Sequence, residues 1–66
     1  MRLLKELPDD LTLVAHSVGF DGKDEMRLYR NSDGRGVLHN LRTGAIFETD
    51  VDSALNRGYW EPARKR

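Results

Sequence analysis

The chain has no cysteine. Disulfides and thiolate metal sites are therefore excluded as sources of stability. There is no apolar run long enough for a signal peptide or a membrane span, and the start, MRLLKELPDD, reads as neither. A cytoplasmic location is the resulting expectation, with no membrane partner. Net charge is absent too: eleven cations balance eleven acids. That balance argues against bulk electrostatic binding to nucleic acid or anionic lipid. Enzyme signatures are missing as well. No phosphate loop, G-x-S-x-G or H-E-x-x-H occurs, and Asp9-Asp10 and Asp24-Glu25 are turn acids, not a paired-carboxylate site. The expectation is a non-catalytic protein that takes no cofactor and no metal.

What is there is short. At 66 residues the chain is one domain, and a domain of this size buries only about 60% of the surface its unfolded chain exposes. A partner or a second copy could supply missing burial. Three turn signals stand out: Asp21-Gly22-Lys23-Asp24, Ser32-Asp33-Gly34-Arg35 and Arg42-Thr43-Gly44. They separate four candidate strands, residues 11–20, 25–31, 36–42 and 45–49. Short connections make neighbours antiparallel. The fold class is α+β, a four-stranded antiparallel β-meander over 11–49 with a short helix packed on one face. The helix is expected at 50–58, with Thr49 or Asp50 as its cap and Gly58 past its end. Residues 59–66 form a tail whose Tyr59 and Trp60 should close the core.

Loop lengths set a register. A three-residue loop at Arg42-Thr43-Gly44 sets His39 opposite Phe47, and a four-residue loop over Ser32 to Arg35 sets Leu28 opposite His39. An odd-length loop around Gly22 sets Phe20 by Met26 and His16 by Arg30. One face then carries Val14, Val18, Phe20, Met26, Leu28, Val37, Leu41, Ala45 and Phe47, with the helix over it. The other carries Ala15, Arg27, Tyr29, Leu38, Asn40, Arg42, Ile46 and Glu48, with Glu25 beside Arg42. The N-terminal segment, 1–10, fits a short helix that places Leu3, Leu4 and Leu7 on one side. Arg2 to Leu7 fits a fifth strand equally.

Four groups of residues invite a functional reading. His39 falls on the helix-covered face and reads as a core histidine. His16, His39 and Asp50 or Asp52 have no tight metal-ligand spacing. Arg30 on the inward face needs a carboxylate, and Asp50 or Asp52 is the nearest expected source. The second sheet face mixes Tyr29, Leu38, Asn40 and Ile46 with Arg27 and Arg42, a composition typical of interface patches. Either Leu3, Leu4 and Leu7 cover that face or it docks a partner. The reading is a small protein-binding module (an adaptor, inhibitor or regulator) that uses this mixed apolar and arginine face, with a homodimer as one form of partner. The alternative is a nucleic-acid binder using Arg27, Tyr29, Arg42 and the basic tail Arg64-Lys65-Arg66, with Tyr59 and Trp60 available for base stacking.

Overall fold

The four expected strands are present and two more flank them. The computed structural model describes residues 2–62. In chain order the elements are β1 (Arg2–Leu4), β2 (Thr12–Val18), β3 (Asp24–Arg30), β4 (Gly36–Asn40), β5 (Ile46–Thr49), α1 (Val51–Leu55) and β6 (Glu61–Pro62). Among the described residues these strands form one sheet of six, in the order β1-β5-β4-β3-β2-β6, and every neighbouring pair is antiparallel. The class is α+β, as composition and turn spacing indicate, but with six strands in place of four.

The N-terminal residues pair as a strand, not as a helix. Leu3 lies opposite Phe47 and Leu4 opposite Ile46, so the two leucines point to opposite faces, as strand geometry requires. β5 would otherwise present an unpaired row of amides, and β1 occupies that edge. Arg2 adds an exposed ion pair to Glu48 at 3.4 Å.

Two asparagines correct the expected register. Asn31 accepts hydrogen bonds at Oδ1 from the amides of Asp33 and Arg35, and its own amide donates to the Arg35 carbonyl at 2.9 Å. The loop is therefore Ser32–Gly34, one residue shorter than expected, and Leu28 meets Leu38, not His39. Asn40 does the same for the next turn, accepting from the amides of Arg42 and Thr43. Its amide donates to the Ala45 carbonyl, so that loop is Leu41–Gly44, one residue longer than expected. His39 consequently meets Ile46, not Phe47. Gly34 and Gly44 have φ of 85° and 81°, the left-handed conformation that ends each loop without a Cβ clash. The two departures have opposite sign and cancel beyond β4. Leu28 and Phe47 stay on one face, Tyr29 and Ile46 on the other, and of β3, β4 and β5 it is β4 that is turned over.

The first hairpin departs further. Gly19 and Lys23 close a loop of Phe20, Asp21 and Gly22, and the β2–β3 ladder shifts at two places, between Leu13 and Ala15 and between Ser17 and Val18. Such bulges put an extra residue on one strand and turn the side chains beyond it to the other face. As a result Ala15 opposes Leu28, Ser17 opposes Met26 and His16 opposes Arg27, while Phe20 sits at the loop tip.

Helix α1 covers the face that carries Leu28. Asp50 is its N-cap and accepts from the Ser53 amide at 3.1 Å. Val51 and Ala54 bury against Leu28, with Val14, Leu38 and Trp60 packed around them. The Trp60 indole Nε1 donates to the Ala54 carbonyl at 2.8 Å, which also accepts from the Arg57 amide at 3.2 Å, so the end of the helix is tied to the indole. Tyr59 does not join this core and is 96% exposed. Gly36 lets the helix start approach the sheet, since a Cβ there would lie 3.1 Å from Thr49 O and from Val51 N and Cγ2.

Candidate functional site

The six residues of the expected docking face are divided by the turned-over strand. Arg27, Tyr29 and Ile46 remain together on the face away from α1. Leu38 and Asn40 point to the helix side: Leu38 packs on the core and the Asn40 side chain holds its turn. Val37 and His39 take their places beside Tyr29 and Arg27. Arg42 lies in the β4–β5 turn, exposed, with its Nη1 donating to Glu25 at 3.2 Å, the neighbour the sequence suggests. The face itself is partly closed, because Val37 is 0% and Ile46 8% exposed. Residues 5–11, which carry the chain from β1 to β2 past the intervening strands, are tied nearby where the Ser32 amide donates to Asp10 at 2.9 Å. Ile46 is thus not available as a contact, and Arg27 and Arg42 are the more exposed of the set.

Polar residues cluster in one row of that face. Asp24 accepts from Arg27 Nε and faces His16 Nδ1, both at 2.9 Å. The hydrogen bond from Arg27, then that from His16, holds the Asp24 carboxyl below its ordinary value. Asp24, and after it Tyr29, push Arg27 further toward its charged form. His39 continues the row beyond Arg27, and its buried Nδ1 has no hydrogen-bond partner among the described residues. His39 is therefore half-buried on the face opposite the helix, a correction that stems from the slip of β4. His16 crosses to the same face because of the β2 bulge. Arg30 is exposed and pairs in register with Gly36 and Thr12. Among the described residues it makes no ion pair with Asp50 or Asp52, since Asp50 is engaged as the helix cap. No group of three or more His, Cys, Asp or Glu side chains there is placed to hold a metal ion.

A different surface concentrates exposed apolar area. The β2–β3 loop and the segment after α1 enclose a cavity of about 390 Å³, lined by Ser17, Val18, Gly19, Phe20, Glu25, Tyr59, Trp60 and Glu61. A second cavity of about 220 Å³ adjoins it through Ser17, Tyr59 and Trp60, with Met26 and Leu38 among its lining residues. Phe20 is fully exposed, as is nearly all of Tyr59. Three of the chain's five aromatic residues thus meet at one groove. Sequence reasoning places Phe20 and Tyr59 in the core, and the structure corrects both. The signal for the exposed positions is local: Phe20 stands between Gly19 and Asp21-Gly22, where strand alternation has already stopped, and Tyr59 comes directly after the glycine that ends the helix.

The basic tail Arg64-Lys65-Arg66 lies outside the described residues. Among the described residues, no helix is long and apolar enough to cross a membrane. Comparison with protein-family models, with curated proteins and with solved structures finds no match.

Proposed function

We propose that this domain is a small non-catalytic protein-binding module, an adaptor, inhibitor or regulator, and that it docks its partner in the groove between the β2–β3 loop and the α1–β6 segment. One observation carries the reading. Phe20 and Tyr59 are exposed at a groove that Trp60 also lines, and in a domain with so small a core, large aromatics left outside represent burial available to a partner. Aromatic anchors in such patches dominate binding energy. The groove serves better than the mixed sheet face, where Leu38 and Asn40 turn away and Ile46 is covered.

The nucleic-acid alternative draws less support. Arg27 and Arg42 each carry a carboxylate partner, and Tyr29 is half-buried beside Arg27.

The test uses Phe20→Ala and Tyr59→Ala. Both side chains are exposed, so the melting temperature of each variant should stay within a few degrees of the parent. Each should lose a partner that the parent captures from native extract and that binds the parent again as a purified protein. Truncating a buried aromatic anchor costs about 2 kcal/mol or more, over tenfold in affinity. Capture that nuclease abolishes would favour the nucleic-acid reading. Undiminished capture by both variants would remove the groove from the account. Sedimentation of the pure protein decides whether the occupant is a second copy of this chain.

A further inference from the structure

The molecule carries a knob and a hollow side by side. Phe20 is fully exposed at the tip of the β2–β3 loop. The tip is closed behind it: the Gly22 amide donates to the Gly19 carbonyl at 3.0 Å, and the Lys23 amide donates to Asp21 Oδ1 at 3.0 Å. The hollow is the smaller cavity, about 220 Å³, with Met26, Leu38, Ala54, Tyr59 and Trp60 among its lining residues. An apolar cavity of about 150 Å³ takes a benzene ring, so the hollow has room for a phenyl group. Phe20 lines the larger cavity but not the hollow, and the two share Ser17, Tyr59 and Trp60 as walls.

Building on the docking role proposed above, we infer that the occupant of the groove is a second copy of this chain, with Phe20 of each copy seated in the hollow of the other. Knob and hollow lie on one surface, so a single twofold axis fills both hollows and covers both knobs, a closed isologous pair. A different protein would have to bring both a ring for the hollow and a hollow for Phe20. The chain's zero net charge sets up no bulk repulsion between copies. Local charge agrees. Asp21 follows the knob and Arg57 lines the hollow; both are exposed, and neither makes an ion pair among the described residues. Exchange of the knobs brings Asp21 of each copy to Arg57 of the other. Lys23 and Arg42 line a different cavity beside Asp24 and Glu25, and Glu25 already holds Arg42. Two exposed rings from each copy, at about 150 to 250 Å² apiece, supply a large part of the roughly 1,200 Å² that the smallest stable interfaces bury. The pair is therefore a weak one that separates on dilution.

Sedimentation of the full chain at concentrations up to about 1 mM reads the association constant directly. The parent should pass from monomer to dimer, and Phe20→Ala should weaken the dimer tenfold or more while melting with the parent. In a mixture of labelled and unlabelled copies, NMR contacts should join the Phe20 ring of one copy to the Met26 and Leu38 methyls of the other. Asp21→Arg and Arg57→Asp should each weaken self-association several-fold, because like charges then meet at both contacts. An equimolar mixture of these two variants should recover it, since every unlike pair of chains regains two opposite-charge contacts. A parent that stays monomeric at the highest concentration would overturn the second copy as occupant, and capture by the Phe20 and Tyr59 variants would then judge the groove separately. A dimer that Phe20→Ala leaves intact would overturn it as well, because the copies would then meet elsewhere. No recovery in the mixture would overturn this seating of one copy on the other.

Discussion

Asp24 is the residue where charge and fold are most directly coupled. It accepts from Arg27 and faces His16, and its carboxyl is held below the ordinary value chiefly by the Arg27 bond. The consequence has a definite sign. Above the unfolded value of about 3.9 the carboxylate is ionised in both states, so the full stabilisation is present. As pH falls through the folded value the proton binds, the bonds to Arg27 and His16 are lost, and so is the contribution. Asp10, lowered by its bonds from Ser32, behaves in the same way. The melting temperature of the parent should thus exceed that of Asp24→Asn at pH 7, and the gap should narrow toward pH 3. A gap independent of pH would mean that Asp24 acts by packing alone. His39 presents the opposite case. Its Nδ1 is buried without a partner among the described residues, and an unsatisfied buried group costs about 1 to 3 kcal/mol. His39→Leu should leave stability unchanged or raise it by up to about 1 kcal/mol in denaturant melts. A clear loss would reveal a partner for that nitrogen.

At the scale of elements, the packing of α1 on β4 depends on Gly36. Replacing glycine by alanine ordinarily stabilises by about 0.4 to 1 kcal/mol through the unfolded chain. Here a Cβ would press on Thr49 O and Val51 N at 3.1 Å, and crowding of this kind costs about 1 to 3 kcal/mol. Crowding wins, so Gly36→Ala should melt below the parent, by about 4 °C or more for each kcal/mol. An unchanged melt would mean that the helix start can move away freely. The elements themselves were mostly legible. Alternation and glycine turns found β2 to β5, and the Asp50 cap with helical spacing at Val51 and Ala54 found α1. Register was not legible from loop length, because a glycine fixes where a loop ends without fixing where it begins. Asn31 and Asn40 fix the beginning through their side-chain oxygens, and both were open to reading as asparagine turns. Bulges at Val14 and Glu25 leave no comparable trace, and they carried His16 and Phe20 to unexpected places. The candidate site was affected accordingly: the six residues grouped on one face from the expected register are divided between two where β4 turns over. A double-mutant cycle tests the corrected pairing. Leu28 and Leu38 should couple by about 0.5 kcal/mol or more, and Leu28 and His39 by nearly nothing.

The molecule as a whole is held together by its first described strand as well as its helix. β1 closes the β5 edge, far in sequence from its partner, and it separates two accounts of the N-terminus. If residues 2–7 formed a helix laid over the sheet, Leu3, Leu4 and Leu7 would all be buried and their truncation would cost alike. In the strand, Leu3 is largely exposed opposite Phe47, while Leu4 is half-buried opposite Ile46. Leu3→Ala should then stay within about 0.5 kcal/mol of the parent, as surface changes do, and Leu4→Ala should cost distinctly more. Removing residues 1–4 tests the edge itself. It takes the partner strand from Ile46 and Phe47, loses the Arg2 pair with Glu48, and leaves the β5 amides and carbonyls open. An exposed edge of this kind pairs with whatever strand it meets. The shortened chain should melt lower than the full chain and sediment as a larger species than the full chain does at the same concentration. A shortened chain that sediments and melts with the parent would show that β1 adds no stability and protects no edge.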